Sequence, residues 1–301
     1  MNKLDPWPIK KIDVKNVKYP DALRKISEPP QSIYYRGGFL TNEKCFAIVG
    51  TRLASNYGKE IAFSFAKELA QAGLTIVSGM AKGIDTFSHQ GALAVETGSL
   101  KTIAVLGTGL EEDVIYPQEN LGLAKKILEQ GGCLLSEYTP ETHGDKFTFP
   151  KRNRLVSGLA LGILVVEAKY KSGALITANY AQKQGKKVFA VPGSINSSNS
   201  KGPHSLIKKG AQLVDSPQDI LKALNIEPSL FVPPAVSPLG ETAGGTPKII
   251  ILQALSQGSL HIDQIIKQTQ LPSQAVSSAL TLLELESKVK NLSGNVFALI
   301  R

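Results

Sequence analysis

The sequence has few of the residues that would mark a secreted, metal-binding or membrane protein. Its 301 residues include only two cysteines, Cys45 and Cys133, and each lies at the start of an apolar run. They form no C-x-x-C pair and no histidine cluster accompanies them, so buried structural thiols are favoured over a disulfide or a metal site. No apolar run approaches the roughly 18 residues of a membrane-spanning helix, and the first residues lack a secretory signal. We therefore predict a cytoplasmic protein with no metal site and no membrane contact.

Signatures of catalysis and of nucleotide binding are also missing. The chain has no G-x-G-x-x-G fingerprint, no Walker lysine motif and no G-x-S-x-G elbow, so we expect no cofactor and no catalytic residue. The carboxylates of residues 111–113 could hold Mg²⁺, but consecutive residues on a turn seldom converge on one ion, which favours a solvated turn. Asp85 is more typical of a helix cap than of a catalytic group. With His89, four residues later, it suggests a structural pair on one helix face.

Positive charge is in excess. Lysine and arginine number 34 against 25 acidic residues, which gives a formal net charge of +9. This balance favours anionic partners, with nucleic acid ahead of acidic metabolites. A basic surface that serves only solubility accounts for the total equally well. The length is sufficient for one large domain and one small domain.

Short apolar runs alternate with helix-length segments between residues 45 and 224. The alternation predicts an α/β fold with right-handed crossovers and a doubly wound parallel sheet. The predicted strands are Phe46–Val49, Thr75–Val77, Ile103–Leu106, Leu134–Leu135, Ile163–Val166, Val188–Val191 and Gln212–Val214. The predicted helices are Gly58–Ala72, Asp85–Thr97, Leu121–Gln130, Leu175–Gln184, Ser205–Lys208 and Pro217–Leu224. Such sheets bind ligands beyond the carboxyl ends of their strands.

The rest of the chain divides into three segments. Residues 1–44 are basic and interrupted by prolines, which predicts an N-terminal arm packed on the core formed by residues 45–224. Residues 225–246 are rich in Pro and Gly and are typical of a linker. Residues 247–301 show three helical patterns and a hairpin, the order of a winged helix. Its helix Ser273–Leu285 has almost no cations, so we expect protein contact or weak duplex contact rather than base readout.

Polar, glycine-containing segments follow the predicted strands and supply the candidate site. In the segment Phe149–Arg154, three cations lie beside an aromatic ring, a combination that suits a polyanion with stackable bases. Cations at a helix start also oppose the helix macrodipole, so an anion nearby would offset the conflict. The predicted DNA-binding residues are Gly50, Thr51, Arg52, Ser78, Gly79, Lys82, Gly83, Gly107, Phe149, Lys151, Arg152, Asn153, Arg154, Ser172, Gly173 and Lys201.

The ordered set of these segments resembles the bacterial DNA-processing protein A family (DprA, also called Smf). The matching segments are GTR with a following YG, SGMAKGIDTFSH, TIAVLGTGLEEDVIYPQEN, SE, FPKRNRLVSGL, VVEA, SGALITA, AVPG and SKGPHSLIKKGA. The resemblance implies an extended Rossmann-like domain that binds single-stranded DNA and self-associates, normally as a homodimer. It also implies loading of the RecA recombinase during natural transformation, against single-strand-binding protein. The family-type contacts would be Arg52, Lys151, Arg152 and Arg154, with Phe149 as the nearby aromatic. His204 and Thr51 depart from the residues expected of the family.

Two functions of other classes remain as alternatives. A nucleotide phosphoribohydrolase could use Glu137 or Glu167 on a nucleoside monophosphate, but the nearest string to its P-G-G-x-G-T-x-x-E signature is only residues 191–194. A transcriptional regulator could use the winged helix while the first domain senses a metabolite, and the cation-poor helix weighs against it. We therefore predict a non-enzymatic, sequence-tolerant single-stranded-DNA-binding recombination mediator.

Overall fold

The chain forms two compact units, Met1–Phe231 and Val232–Arg301, in a computed structural model. The structure describes residues 4–38, 44–95, 102–226, 247–256, 258–269, 271–285, 288–292 and 294–299. Almost all of the predicted linker, residues 227–246, lies outside these ranges. Within them, no helix is both long enough and apolar enough to cross a bilayer.

A nine-stranded sheet in the order β1-β2-β6-β5-β4-β3-β7-β8-β9 forms the centre of the first unit. The strands are β1 Lys10–Asp13, β2 Ser32–Gly37, β3 Cys45–Val49, β4 Thr75–Ser78, β5 Thr102–Val105, β6 Cys133–Ser136, β7 Ala160–Val165, β8 Lys187–Ala190 and β9 Gln212–Leu213. Strands β3 to β9 are parallel. The chain builds outward from β3 to β6 and then returns, placing β7 on the other side of β3. This reversal opens a crevice between the loops that follow β3 and β7. The predicted doubly wound, mostly parallel sheet is confirmed.

Helices cover both faces of the sheet. They are α1 Asp21–Arg24, α2 Asn56–Gln71, α3 Ile84–Leu93, α4 Leu121–Glu129, α5 Thr148–Leu159, α6 Gly173–Lys183, α7 Lys201–Lys208 and α8 Pro217–Ala223. Alternate residues of β3 point to opposite faces: Phe46 packs in the cluster of α2 and α3, whereas Ala47 packs in the cluster of α5 and α6. All five residues of β3 are therefore buried, and the strand is apolar without alternation. Both cysteines are buried in this core.

The N-terminal segment extends the sheet. Strand β2 pairs antiparallel with β6, and β1 pairs antiparallel with β2. The predicted arm thus contributes two strands and the short helix α1 to the first unit.

The second unit is a small winged helix with its own core. Its elements are α9 Pro247–Leu255, β10 Leu260–His261, α10 Ile262–Thr269, α11 Ser273–Leu285, β11 Val289–Asn291 and β12 Val296–Leu299. The three strands pair in the order β10-β12-β11. Ile251, Ile265 and Leu280 meet in the core between the helices, and Phe297 of the hairpin packs against them. The predicted helix–helix–helix–hairpin order is confirmed, and β10 completes the sheet.

Candidate nucleic-acid interface

A pocket of about 820 Å³ lies at the carboxyl edge of the sheet, where β3 and β7 are neighbours. Its walls come from the loops that follow β3, β4, β5 and β7 and from the first turns of α5 and α6. Nine of the sixteen predicted binding residues line it: Gly50, Thr51, Arg52, Gly79, Phe149, Arg152, Asn153, Ser172 and Gly173. Sequence segments far apart in the chain therefore converge on one surface.

The aromatic wall consists of Phe149 and Tyr116. The Phe149 ring is wedged between Gly107 and Gly144, where an added Cβ would lie 2.6 Å from ring atoms at either position. The Arg52 guanidinium lies 5.9 Å from the centroid of this ring, and the Tyr116 ring lies 5.6 Å away with a tilt of 55°. Tyr116 is 52% exposed. It therefore offers more accessible ring surface than Phe149, and the sequence prediction missed it although Tyr-Pro in the loop after β5 was visible.

Arg152 is a fixed cation in the floor of the pocket. Its Nη1 donates to the carbonyl oxygens of Gly79 (2.8 Å) and Val105, and its Nε donates to Asn153 Oδ1 at 3.1 Å. Burial lowers the pKa of Arg152 to about 10, while the nearby Asp85 carboxylate acts in the opposite direction. The group stays protonated at neutral pH, and Asp85, which lines the same pocket, offsets part of its charge.

Asp85 braces the loop after β4. Its Oδ2 accepts hydrogen bonds from the backbone N–H groups of Gly79 (3.1 Å) and Ala81 (3.2 Å). Burial raises the pKa of Asp85, and Arg152 opposes the rise. An internal carboxylate therefore already occupies these two N–H groups, which leaves them unable to bind an external anion. Asp85 is not the helix cap either, since the N-cap position of α3 is Gly83.

His89 does not pair with Asp85. Its Nδ1 lies 2.7 Å from Thr102 Oγ1, and that hydroxyl donates to the carbonyl oxygen of Ile76. The single hydroxyl hydrogen is thus used, so Nδ1 must donate and Nε2 carries the lone pair. Complete burial lowers the pKa of His89 to about 3. The histidine is a neutral core residue.

Arg154, one of the three cations of the segment Phe149–Arg154, is buried in an ion pair. Its two Nη atoms donate to the two carboxylate oxygens of Glu137 at 2.6 and 2.7 Å, and the side chains of this pair are 6% and 7% exposed. Its Nε donates to the carbonyl oxygen of Glu28. Arg154 does not line the pocket, so its predicted contact with DNA stays a prediction without support from the pocket geometry. Among the three cations, only Lys151 is exposed.

Part of the negative charge that offsets the cations at the start of α5 comes from the protein itself. Asp145 Oδ1 accepts from the backbone N–H groups of Phe147 (2.7 Å) and Thr148 (2.8 Å), and these hydrogen bonds hold the pKa of Asp145 below its usual value. A carboxylate at the start of a helix offsets the macrodipole conflict. The argument for an external anion therefore weakens at α5.

At the start of α6, the described residues leave a buried hydroxyl without a hydrogen-bond partner. Ser172 occupies the N-cap position and makes no side-chain cap hydrogen bond. Its Oγ is buried and has no hydrogen-bond partner among the described residues, and the residue lines the pocket. A buried hydroxyl without a partner costs free energy, and the helix start beside it favours negative charge. Lys169 lines the same part of the pocket and was missed from the sequence.

Several predicted residues have structural roles outside the pocket wall. Ser78 Oγ donates to the Ile48 carbonyl, and Lys201 Nζ donates to the Ile195 carbonyl at 2.7 Å. Gly83 has a positive φ of 78° and packs against the backbone of Thr51, where an added Cβ would lie 2.3 Å from the carbonyl oxygen. These two polar groups and this glycine stabilise the loops that carry the pocket. Lys82 lines a cleft next to the pocket, and Gly107 packs against Phe149 of the pocket wall. Lys151 lines neither the pocket nor this cleft.

The two candidate catalytic carboxylates are committed to other groups. Glu137 is bound by Arg154, as described. Glu167 accepts from the backbone N–H of Ser55 (2.9 Å), its Oγ (2.6 Å) and Asn199 Nδ2 (3.3 Å). Glu111, considered for Mg²⁺, pairs with Arg36 at 3.0 Å. Among the described residues, no group of three or more acidic, histidine or cysteine side chains is arranged to hold a metal ion.

Known proteins are similar to this chain in sequence and architecture. Over 207 residues the chain is 44% identical to Protein Smf of Escherichia coli (strain K12), covering 68% of this chain and 54% of that protein. It is 41% identical over 218 residues to the DNA processing protein DprA of Bacillus subtilis (strain 168), with 72% and 71% covered. The match thus spans about half the length of the E. coli relative.

Solved structures give the same result. The X-ray structure of Streptococcus pneumoniae DNA processing protein A matches with a TM-score of 0.65 and 41% identity, covering 73% of this chain and 75% of that chain. A Helicobacter pylori DNA processing protein A structure, concerned with its single-stranded DNA binding mode, matches with a TM-score of 0.64 and 32% identity, covering 75% and 98%. Residues 10–225 match the family model of DNA recombination-mediator protein A, and residues 240–295 match the DprA winged helix domain. The chain therefore belongs to the DNA recombination-mediator protein A family.

Proposed function

We propose that this protein binds single-stranded DNA, without sequence preference, in the pocket at the carboxyl edge of its sheet. The observation that carries the proposal is the convergence in one pocket of a guanidinium above an aromatic ring, a second exposed ring and a fixed buried cation: Arg52, Phe149, Tyr116 and Arg152. Cations that bind phosphates and rings that stack on bases are the two components of sequence-tolerant single-strand binding. The related H. pylori protein binds single-stranded DNA.

Each part of the pocket suits a different part of the strand. Arg52 is exposed and is the cation best placed to contact a phosphate, while Arg152 adds charge from below. The Ser172 hydroxyl and the first backbone N–H groups of α6 suit a second phosphate. Tyr116 offers a stacking face for a base. A base–aromatic contact of this kind contributes about 1–3 kcal/mol.

The recombination role extends this proposal to partners. We propose that the protein loads the RecA recombinase on incoming DNA in natural transformation, overcomes single-strand-binding protein and acts as a homodimer. Support comes from family membership and from the Bacillus and Streptococcus relatives named DprA. RecA filament formation on strands coated with single-strand-binding protein tests this role: a faster start with the protein present supports it, and an unchanged lag contradicts it. Sedimentation of the protein alone tests whether it forms a dimer.

Fluorescence anisotropy with a labelled dT oligomer tests the binding site. Arg52→Ala should weaken binding at low salt by about tenfold and reduce the log–log salt slope by about 0.7, the value for one phosphate on a single strand. Lys183→Ala is the matched control, because Lys183 is an exposed cation at the far end of α6. Equal effects of the two substitutions, or binding by the wild type that does not depend on salt, would refute the proposed site.

A further inference from the structure

An ion pair joins two of the loops around the candidate site. Lys82, after β4, places its Nζ 2.5 Å from Oε1 of Glu119, which lies in the short 3₁₀ turn Gln118–Asn120 before α4. The neighbouring Asn120 donates from Nδ2 to the Met80 carbonyl at 2.8 Å. The inner contact is buried, whereas the Lys82 and Glu119 side chains are 54% and 65% exposed. The outer pair can therefore open while the inner contact holds the loops together.

Lys82 also borders a narrow cleft that branches from the pocket. The cleft is lined by Arg52, Arg152, Tyr116 and Phe149 together with Lys82. Three cations and two rings thus meet in it, and one of the cations, Lys82, is bound to an internal carboxylate. An ammonium group contacts anions as a point charge with rotatable donors, so it can exchange one oxygen for another with little rearrangement.

We propose that Glu119 sets the affinity of this site: its carboxylate binds Lys82 and must be displaced by a phosphate of the nucleic-acid strand. The inference rests on the proposed function, since the competing anion is the strand that the pocket binds. An exposed ion pair contributes little to stability, so it is a weak competitor that a polyanion can replace. Glu119 also places a negative charge where the strand would pass, and so opposes binding in its own right.

A pair of substitutions separates this role from a general change in charge. Glu119→Gln and Glu129→Gln each remove one negative charge, and Glu129 pairs with Lys125 on α4 at 3.4 Å, away from both the pocket and the cleft. Anisotropy with a dT oligomer across a salt series should show that Glu119→Gln binds about threefold to tenfold more tightly than Glu129→Gln at low salt. Its log–log salt slope should equal that of Glu129→Gln, because Lys82 contacts one phosphate in both complexes, whether Glu119 is displaced or replaced.

Lys82→Gln in both backgrounds completes the test. It should remove most of the gain in the Glu119→Gln background and weaken the wild type by less than twofold, because Lys82 of the wild type is already bound. Equal affinities for the Glu119→Gln and Glu129→Gln variants would overturn the inference while leaving the proposed function intact. Failure of the wild type to bind, or binding that ignores Arg52→Ala, would instead refute the proposed function. Thermal unfolding of each variant checks that the fold is retained.

Discussion

Two arginines that lie two residues apart on α5 have different roles because their surroundings differ. Arg152 faces the pocket, whereas Arg154 is buried against Glu137 on the other side of the helix. Arg154→Met should lower the free energy of unfolding by about 3 kcal/mol, because it leaves the Glu137 carboxylate buried without its counter-ion. The folded fraction should bind a dT oligomer as the wild type does. Urea unfolding and anisotropy measure the two effects.

The double variant Arg154→Met/Glu137→Met is the control for this prediction. Removing both charges should restore part of the lost stability, since no unpaired carboxylate remains. Loss of DNA binding by a fully stable Arg154→Met variant would show that Arg154 contacts the strand after all.

His89 makes stability depend on pH. Its pKa is about 3 in the folded protein against about 6.5 in the unfolded chain, so the unfolded state binds the extra proton between these values. Stability should therefore be complete above pH 6.5 and fall as the pH drops, by about 2 kcal/mol at pH 5 from this group alone. His89→Asn, which keeps a donor near the Nδ1 position, should show a smaller loss between pH 7.5 and pH 5 in urea unfolding. Equal losses would contradict the assignment.

At this scale the sequence located the cations but not their partners. Arg152, Arg154 and Lys82 were predicted as DNA contacts, yet charge in a sequence does not reveal the carbonyl or carboxylate that a folded chain brings to it. Glu137 is 17 residues from Arg154, and Glu119 is 37 residues from Lys82. Tyr116 was missed for the same reason, because only the fold places it beside Phe149.

Among the elements, the N-terminal segment is tied to the loop after β5 by Arg36 of β2. Its guanidinium donates to the carbonyl oxygens of Leu4 (3.0 Å), Trp7 (2.7 Å) and Leu110 (3.0 Å) and pairs with Glu111. Arg36→Gln should release this segment at urea concentrations below those at which the whole unit unfolds. Since Trp7 is the single tryptophan, its emission should shift to the red in moderate urea.

Arg24→Gln is the matched comparison for this experiment. Arg24 also donates to backbone carbonyls of the N-terminal region, those of Val14, Asn16 and Tyr19, but not to that of Trp7. Its substitution should not produce the early red shift of Trp7 emission. The same early shift in both variants would mean that the segment opens for another reason.

The parallel strands were the elements best predicted from sequence, because burial on both faces leaves an uninterrupted apolar run. Every predicted strand of the first unit overlaps an observed strand. Helix α5 was not delimited, since seven of its twelve residues are buried and these include two arginines, so its polar residues do not mark a solvent face. Strands β1 and β2 were missed as sheet members because β2 joins the sheet by antiparallel pairing with β6, which is distant in sequence, and β1 joins it through β2.

At the scale of the whole molecule, the candidate site lies within one of the two units. All residues that line the pocket belong to the first unit, which has three hydrophobic clusters of its own. A fragment of residues 1–231 should therefore fold and bind a dT oligomer within about threefold of the full chain. Circular dichroism and anisotropy test both points. A tenfold loss of affinity would show that the second unit contributes to binding.

The anchoring of Arg152 has a consequence for the speed and thermodynamics of association. A long side chain that is immobilised by a ligand loses rotational entropy, at a cost of about 0.5–1.5 kcal/mol. Arg152 is already held by two carbonyl groups and Asn153, so its ordering takes place during folding and not during binding. A strand that arrives at the pocket therefore meets a cation that is already ordered, and this favours rapid binding.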